Sequence, residues 1–282
     1  MKKVLLFTTL FLGSIGNSFG QCPAAELAPW IDDVESMTVT TGVISQNCWT
    51  ESSPGAYDWN IDGAGSTPST GTGPLGANSG VKYFYIEAST TNIGPAILTT
   101  PLVDITALTV PTFEFYYHMN GVAMGDLAVE AWDGITWNVV DNISGEQQVA
   151  QSDPWLLRTI YLPTYTGVIQ MRFVATGSGV TQYGDISIDD ISMTEAVTPP
   201  TCFAPFGLTA SNILSISADL SWTDNSGSGL ANVEYGPTGF VLGAGTTISG
   251  TTNNPESIAG LTGNTTYDFY VQSDCGAGGL SA

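Results

Sequence analysis

Apolar and polar residues alternate with a period of two along several segments of the chain. The clearest runs place apolar side chains at every second position of residues 113–119, 127–131, 169–175, 216–222 and 267–271. Alternation of this kind puts one face of a β-strand in a core and the other toward solvent or a second layer. No segment of comparable length after residue 20 has the period of an amphipathic helix. Many short strands between turns rich in Gly and Pro predict an all-β chain built from β-sandwiches.

A boundary between two domains is visible at two adjacent prolines, Pro199 and Pro200. Proline cannot donate to a sheet ladder and favours extended backbone, so residues 197–201 predict a stiff linker. The 282 residues leave room for about two domains. We predict a first sandwich over residues 22–196 and a second over residues 202–282.

The first twenty residues have the three parts of a secretory signal peptide. A positive start at Lys2 and Lys3 precedes an apolar stretch at 4–12, and a small-x-small cleavage site follows at 18–20. We therefore expect a mature chain that begins at Gln21 and is secreted or displayed at the cell surface, and the Met-Lys-Lys start favours a bacterial source. No later apolar run approaches the ~18 residues that span a bilayer, so we predict no transmembrane segment.

The charge balance is strongly acidic. Five Lys and Arg stand against 26 Asp and Glu, for a formal net charge of −21. A protein that binds nucleic acid needs clustered basic residues to displace counterions, and the chain has no such cluster. Nucleic acid is therefore excluded as a partner, and divalent cations are natural counter-ions of such a surface.

The four cysteines are expected to form disulfides in an oxidising compartment. Four cysteines allow three connectivities. The division into two domains selects Cys22 with Cys48 and Cys202 with Cys275.

An ordered set of short motifs runs through the first predicted domain. The set consists of Asp58-Trp59, Thr67-Pro68-Ser69, Thr72-Gly73-Pro74, residues 83–89, residues 115–121, Gly125-Asp126-Leu127 and residues 184–191. In order and spacing it resembles the MAM domain of meprins, neuropilins and adhesive receptor tyrosine phosphatases, over most of residues 30–195. The resemblance implies a jelly-roll-like sandwich of two sheets used for extracellular adhesion or oligomer contacts, with homophilic contacts among the candidates.

The chain departs from this family at two places. Pro111-Thr112 stands where members usually have a cysteine, and Ala77-Asn78-Ser79 replaces a triplet that commonly carries histidine. The disulfide pattern and the dimer contacts of the family are therefore not carried over.

The second predicted domain resembles a fibronectin type III domain. Residues 217–222 and the spacing from Leu261 to Tyr267 carry the resemblance, and the flanking Cys202 and Cys275 resemble a bacterial variant with an added disulfide. Such a domain has a seventh strand after the one that begins at Tyr267. Because little chain follows, and an unpaired apolar edge is avoided in native sheets, we expect the domain to be truncated.

Two groups of acids lie near the ends of the first domain, at residues 32–35 and 185–190. The first and last strands of a jelly roll are usually neighbours, so these carboxylates can converge. Calcium takes several oxygen ligands at ~2.3–2.6 Å. We single out Glu35, Asp190, Asp33 and Asp189 as ligands of a structural calcium ion. The alternative is a set of solvated turn acids.

Catalytic chemistry has little support in the residue inventory. His118 is the sole histidine, and it alternates with the apolar residues of a predicted strand. A Ser-His-Asp or Cys-His arrangement would have to use it. A structural role is the simpler interpretation.

Three tryptophans, Trp132, Trp137 and Trp155, lie around the middle of the first domain. Indole rings on a rim can stack on sugars, and indole rings in a core complete its packing. The sequence leaves both open for these three.

The sequence thus predicts a non-catalytic extracellular module for adhesion or recognition, with a protein or glycan partner. Two alternatives are an accessory binding region of a secreted peptidase or glycosidase whose catalytic domain lies outside this chain, and a carbohydrate-binding module.

Overall fold

The computed structural model describes residues 22, 24–53, 57–63, 65–88, 94–179 and 182–282. The predicted leader, residues 1–20, lies outside these ranges. Among the described residues, the single helical element is one 3₁₀ turn at Gly276–Gly278. The strands before residue 200 are β1 (Glu26–Leu27), β2 (Trp30–Asp32), β3 (Ser45–Gln46), β4 (Trp49–Ser52), β5 (Trp59–Asp62), β6 (Tyr83–Ile86), β7 (Ala96–Thr99), β8 (Val103–Asp104), β9 (Pro111–His118), β10 (Asp126–Trp132), β11 (Trp137–Ser144), β12 (Leu156–Tyr161), β13 (Val168–Thr176) and β14 (Ile186–Glu195). The strands after it are β15 (Phe206–Ser211), β16 (Ser217–Thr223), β17 (Ala231–Pro237), β18 (Thr246–Thr251), β19 (Glu256–Ala259) and β20 (Tyr267–Ser273).

The strands before residue 200 form two sheets. Sheet A follows the order β1-β8-β13-β7-β4-β3, and β10 joins it beside β13 and carries β11 on its other side. Sheet B follows the order β12-β9-β14-β6-β5, and β2 also pairs with β14. The prediction of an all-β sandwich is confirmed.

The core lies between sheets A and B, where the predicted alternation places apolar side chains. Phe115 of β9 and Phe173 of β13 meet edge to face across the sheets, with ring centroids 4.9 Å apart. Trp49 of β4 and Phe84 of β6 form a second contact across the sheets, with tilted rings whose centroids are 4.8 Å apart. All four side chains are fully buried. Burial of each contributes roughly 1.5–3 kcal/mol relative to exposure.

Part of the outer face of sheet B is also covered. Tyr83, His118, Ser187 and Asp189 point away from the apolar core, and each has no exposed surface. Trp155 takes part in the cover, because its ring lies 5.7 Å from both Tyr83 and His118, centroid to centroid. This part of sheet B therefore has an aromatic and polar second layer rather than a solvated face.

The C-terminal region consists of two three-stranded sheets, ordered β15-β16-β19 and β18-β17-β20. Its core is small and is formed by Ala218, Leu220, Trp222, Ala231, Val233 and Ile258. The hydroxyl of Tyr267 accepts a hydrogen bond from the Thr262 backbone N–H at 3.0 Å. Leu280 bridges Asp274 at the end of β20.

The two regions touch along β11 and β15. Phe206 of β15 joins the core cluster of the first region and lies 6.5 Å from Tyr165, ring to ring. The Asn225 side chain donates a hydrogen bond to the Tyr161 carbonyl at 3.1 Å. Residues 197–201 carry no strand, and Val197 among them is almost fully exposed.

Disulfides join Cys22 to Cys48 and Cys202 to Cys275, one in each region. This is the pairing that the division of the chain predicts. Within the ranges that the structure describes, no helix is long and apolar enough to cross a membrane.

Candidate functional site

The two groups of acids meet beside the last strand of the first region. Strand β2 runs antiparallel to β14, and Asp32 stands opposite Ile191. A strand near the start of the first region is therefore adjacent to its last strand, as the sequence predicts.

A β-bulge in β14 directs two consecutive acids to one side. The register of β14 against β9 shifts between Asp189 and Ser192, and Asp190 adopts a positive φ of 48°. The extra residue lets Ile188 and Ile191 both face the core, whereas regular alternation would turn one of them outward. A left-handed conformation is unusual for a residue other than Gly, and Asp is one of the types that tolerate it.

Asp189 and Asp190 bind the segment of residues 76–82, which we call the anchored loop. One carboxylate oxygen of Asp189, Oδ2, accepts hydrogen bonds from the backbone N–H groups of Asn78 and Ser79, at 2.8 and 3.3 Å. The carboxylate of Asp190 accepts bonds from the Asn78 amide and the Ser79 hydroxyl, both at 2.7 Å. Together they satisfy four donors of the loop.

Glu35 holds the other end of the anchored loop. Its Oε1 accepts hydrogen bonds from the Val81 and Lys82 backbone N–H groups at 2.7 and 2.6 Å. The ammonium of Lys82 reaches back to the carbonyls of Glu35 and Met37, both at 2.6 Å. A Cβ on Gly80, whose φ is 61°, would lie 2.3 Å from Glu35 Oε1, so this approach requires glycine.

Asp33 stands apart from the other three predicted ligands. It is exposed, and its carboxylate accepts a hydrogen bond from the nearby Glu35 backbone N–H at 3.1 Å. Asp32, which the sequence did not single out, has the larger structural part. It accepts a bond from the Trp49 indole N–H at 2.8 Å and so ties sheet B to sheet A.

The four predicted calcium ligands all accept hydrogen bonds in the structure. Among the described residues, no group of three or more His, Cys, Asp or Glu side chains is placed to hold a metal ion. Glu35, Asp189 and Asp190 instead accept hydrogen bonds from N–H and O–H donors. Calcium binding by Glu35, Asp190, Asp33 and Asp189 stays a prediction, with a test given in the Discussion.

Burial raises the pKa of Asp189 to about 7, and the adjacent charge of Asp190 adds to the rise. Burial also raises the pKa of Asp185 to about 7. Asp185 is 1% exposed, and its Oδ1 accepts a hydrogen bond from the Ala88 backbone N–H at 2.9 Å. Both carboxyls thus titrate near neutrality inside the second layer of sheet B.

His118 has the structural place that the alternation indicated. It is fully buried, and burial lowers its pKa to about 4, with a partial offset from Asp153. The imidazole therefore stays neutral at neutral pH. The indole N–H of Trp155, which packs edge-on to it, donates to the Gly76 carbonyl at 3.1 Å and joins this layer to the anchored loop.

A family model describes this arrangement. The model for "MAM domain, meprin/A5/mu" matches residues 44–202, more than half of the chain. The chain belongs to the MAM domain family. The matched range includes the anchored loop, the bulge of β14 and most of both sheets, but it begins after β1, β2 and Glu35.

Two cleaved adhesin domains of Lys-gingipain are distantly similar in structure to part of this chain. The K2 domain is 18% identical, with a TM-score of 0.43, over 60% of this chain and 99% of that domain. A second domain, from Porphyromonas gingivalis, is 16% identical, with a TM-score of 0.40, over 59% and 98%. A family 22 carbohydrate-binding module of Clostridium thermocellum Xyn10B is 14% identical, with a TM-score of 0.35, over 60% and 95%.

The three tryptophans of the MAM region lie in two different places. Trp155 completes the second layer of sheet B. Trp132 and Trp137 stand at the facing ends of β10 and β11, partly exposed, with ring centroids 5.6 Å apart. Arg172 of β13 lies over the Trp137 ring at 4.2 Å.

The partners of the acids were missed at the level of sequence. From the sequence, Asn78 and Ser79 stand out only as a departure from the family, and Lys82 is not singled out. The signal in the sequence is Lys82, one of few basic residues in a chain with many acids. It does not show that Asn78 pairs with Asp189, because these two residues are more than 100 positions apart.

Proposed function

We propose that this chain is a non-catalytic extracellular recognition module that binds a protein or glycan partner. The observation that carries the proposal is its membership of the MAM family over residues 44–202. The module would present the strand ends and outer surfaces of the sandwich to its partner, while its buried acids hold the loops in place.

The extracellular assignment is supported by the disulfides. Each region has its own bond, and such bonds persist in oxidising compartments. The leader predicted at residues 1–20 points the same way. A bacterial source remains part of the proposal.

The non-catalytic assignment is supported by the places of the titratable groups. The sole histidine is fully buried and neutral. Asp189, Asp190 and Glu35 are occupied as acceptors for the anchored loop. A general base must reach a substrate proton, and a buried imidazole is poorly placed to do so.

We further propose that residues 202–282 form a fibronectin type III spacer. Trp222 is buried in the small core, and Tyr267 bonds back to upstream backbone at Thr262. A tyrosine corner of this type is typical of such sandwiches.

The proposal is tested by equilibrium binding with product analysis. The chain from Gln21 onward is immobilised and exposed to neutral soluble polysaccharides, mucin, collagen, fibronectin and the same chain in solution. We expect saturable binding to at least one of these and no change in the size distribution of any of them. Absence of saturable binding across the panel would contradict recognition, and degradation of a bound polymer would contradict the non-catalytic assignment.

A further inference from the structure

A groove runs along the junction of the two regions, between the edges of β11 and β15. Among the described strands, β11 pairs with β10 alone and β15 with β16 alone, so each presents an edge to the other. The backbones come close at Gly207, where a Cβ would lie 3.3 Å from the Val139 carbonyl oxygen. The groove has a volume of about 610 Å³. Pockets that bind ligands usually have volumes of roughly 300–1,000 Å³ and often lie at the junction of two domains. The groove agrees with both properties.

The lining of the groove combines aromatic and small polar groups. The aromatic side chains are Trp137 and Phe206, and the small polar ones include Asn138, Asn142, Thr209 and Thr223. A sugar ring presents an apolar C–H face and a rim of hydroxyls, so it matches a surface of this kind better than a purely apolar ligand does. A second depression of about 280 Å³ shares Asn138, Phe206 and Thr223 and extends the surface past Tyr165.

The aromatic part of the groove is held in place before any ligand arrives. Arg172 lies over Trp137 at 4.2 Å and forms an ion pair with Glu130. Trp132 supports the same indole from the neighbouring strand at 5.6 Å. A side chain fixed in this way loses little conformational freedom when it binds, which favours affinity.

The charges around the groove select the class of ligand. Asp141 lines it, with its carboxylate paired to Arg158, and Asp133 lines the adjoining depression. The chain as a whole carries a formal charge of −21. Sulfated or sialylated chains would be repelled, whereas neutral sugars can use carboxylate and amide oxygens as hydrogen-bond acceptors.

We infer that the junction groove binds a neutral oligosaccharide, stacked on Trp137 and hydrogen-bonded by Asn138, Asn142 and the threonines of the facing strand. This inference rests on the proposed recognition function and names a ligand class and a site for it.

The test is isothermal titration of the chain from Gln21 onward with soluble neutral polysaccharides, namely xylan, glucomannan, galactomannan, mixed-linkage glucan and laminarin. We expect saturable binding to at least one. Trp137→Ala should weaken it by about tenfold or more, the effect of truncating an aromatic anchor. Asn142→Ala, at an exposed position, should weaken it severalfold without affecting folding. Asn253→Ala, an exposed asparagine away from the groove, is the matched control and should bind as the unchanged chain does.

Two results would overturn the inference. One is the absence of binding to all five neutral polysaccharides. The other is binding that both Trp137→Ala and Asn142→Ala leave unchanged. If the chain still binds collagen, fibronectin, mucin or itself in either case, the recognition function stands and the groove assignment alone fails.

Discussion

Around His118 and Asp189 both faces of sheet B in the MAM region are covered, whereas burial alternates along β16 and β19 of the C-terminal region. On β14, Ser187 and Asp189 are as buried as Ile186 and Ile188. On β16, Ala218, Leu220 and Trp222 are buried, and the residues between them are half exposed. The first region therefore has a polar layer that must find hydrogen-bond partners, and the second has little of this kind.

The difference shows how an acidic module can hold irregular loops with few basic residues. Donors come mainly from the backbone of the loops, as at Asn78, Ser79, Val81 and Lys82. Each carboxylate that accepts such bonds fixes a loop in the second layer of sheet B. The recognition surface that we propose at the edge of the sandwich would then rest on a fixed base.

The largest expected effect comes from matched core substitutions in the two regions. Phe115→Ala removes a fully buried ring between the sheets, and Phe269→Ala removes a partly buried ring of β20. We expect about 3–5 kcal/mol of destabilisation for the first and clearly less for the second. Denaturant unfolding of the whole chain, followed by fluorescence, measures both. Equal losses would contradict the difference between the two cores.

The pH dependence of the MAM region should follow its buried acids. The pKa of Asp185 and that of Asp189 are raised to about 7 in the fold, above an unfolded value near 3.9. Because the fold favours the protonated form of these two carboxyls, they stabilise it fully below pH ~4, and this stabilisation is lost as the pH rises through 7. We expect a higher unfolding midpoint at pH 5 than at pH 8, and a smaller difference in Asp185→Asn.

Calorimetric scans across this pH range provide the measurement. Asp33→Asn, which removes an exposed acid, is the control for the change of net charge. If the unfolding midpoint changed with pH by the same amount in the unchanged chain and in Asp185→Asn, a role for this carboxyl would be contradicted.

Gly80 of the anchored loop can be compared with Gly227 of the C-terminal region, because both have a positive φ. Gly80→Ala combines backbone strain with a contact against Glu35, whereas Gly227→Ala in the C-terminal region has open space and strain alone. We expect about 1–3 kcal/mol for Gly80→Ala and about 1 kcal/mol for Gly227→Ala. Thermal unfolding of both variants measures the difference. A smaller loss at Gly80 than at Gly227 would argue against the close approach of Glu35.

The smallest effect is expected from calcium, which distinguishes the predicted metal site from the observed hydrogen-bonded loop. If Glu35, Asp33, Asp189 and Asp190 bind the ion in the fold, calcium at about twice its dissociation constant raises the stability by about 0.6 kcal/mol. Scans in calcium and in chelator test this, with Asp190→Asn as the variant that should lose the response. An unchanged midpoint would remove the site and leave hydrogen bonding as the function of these acids.

Much of the fold could be predicted because its signals are local. The alternation at 113–119 and 169–175 corresponds to β9 and β13, and the cysteines pair within the two predicted regions. The site could be predicted only in part. The positions of the acids follow from the neighbourhood of β2 and β14, but their partners do not, because Asp189 and Asn78 are 111 residues apart.

Two further features lie beyond local patterns. The left-handed Asp190 follows from a bulge that depends on both neighbours of β14. The partial burial of Trp155 beside sheet B and of Trp137 at the start of β11 depends on how strands and loops pack around each ring, which residue type does not decide.

The most direct test of the account is hydrogen–deuterium exchange of the chain from Gln21 onward, with and without the panel member that binds most tightly. The account predicts that protection on binding falls on exposed segments of the sandwich edge, residues 137–142 and 206–209 above all. Residues 83–88 and 113–119 should exchange slowly in both states. Protection centred on His118 and the acids of β14, with no change at the junction, would contradict the account.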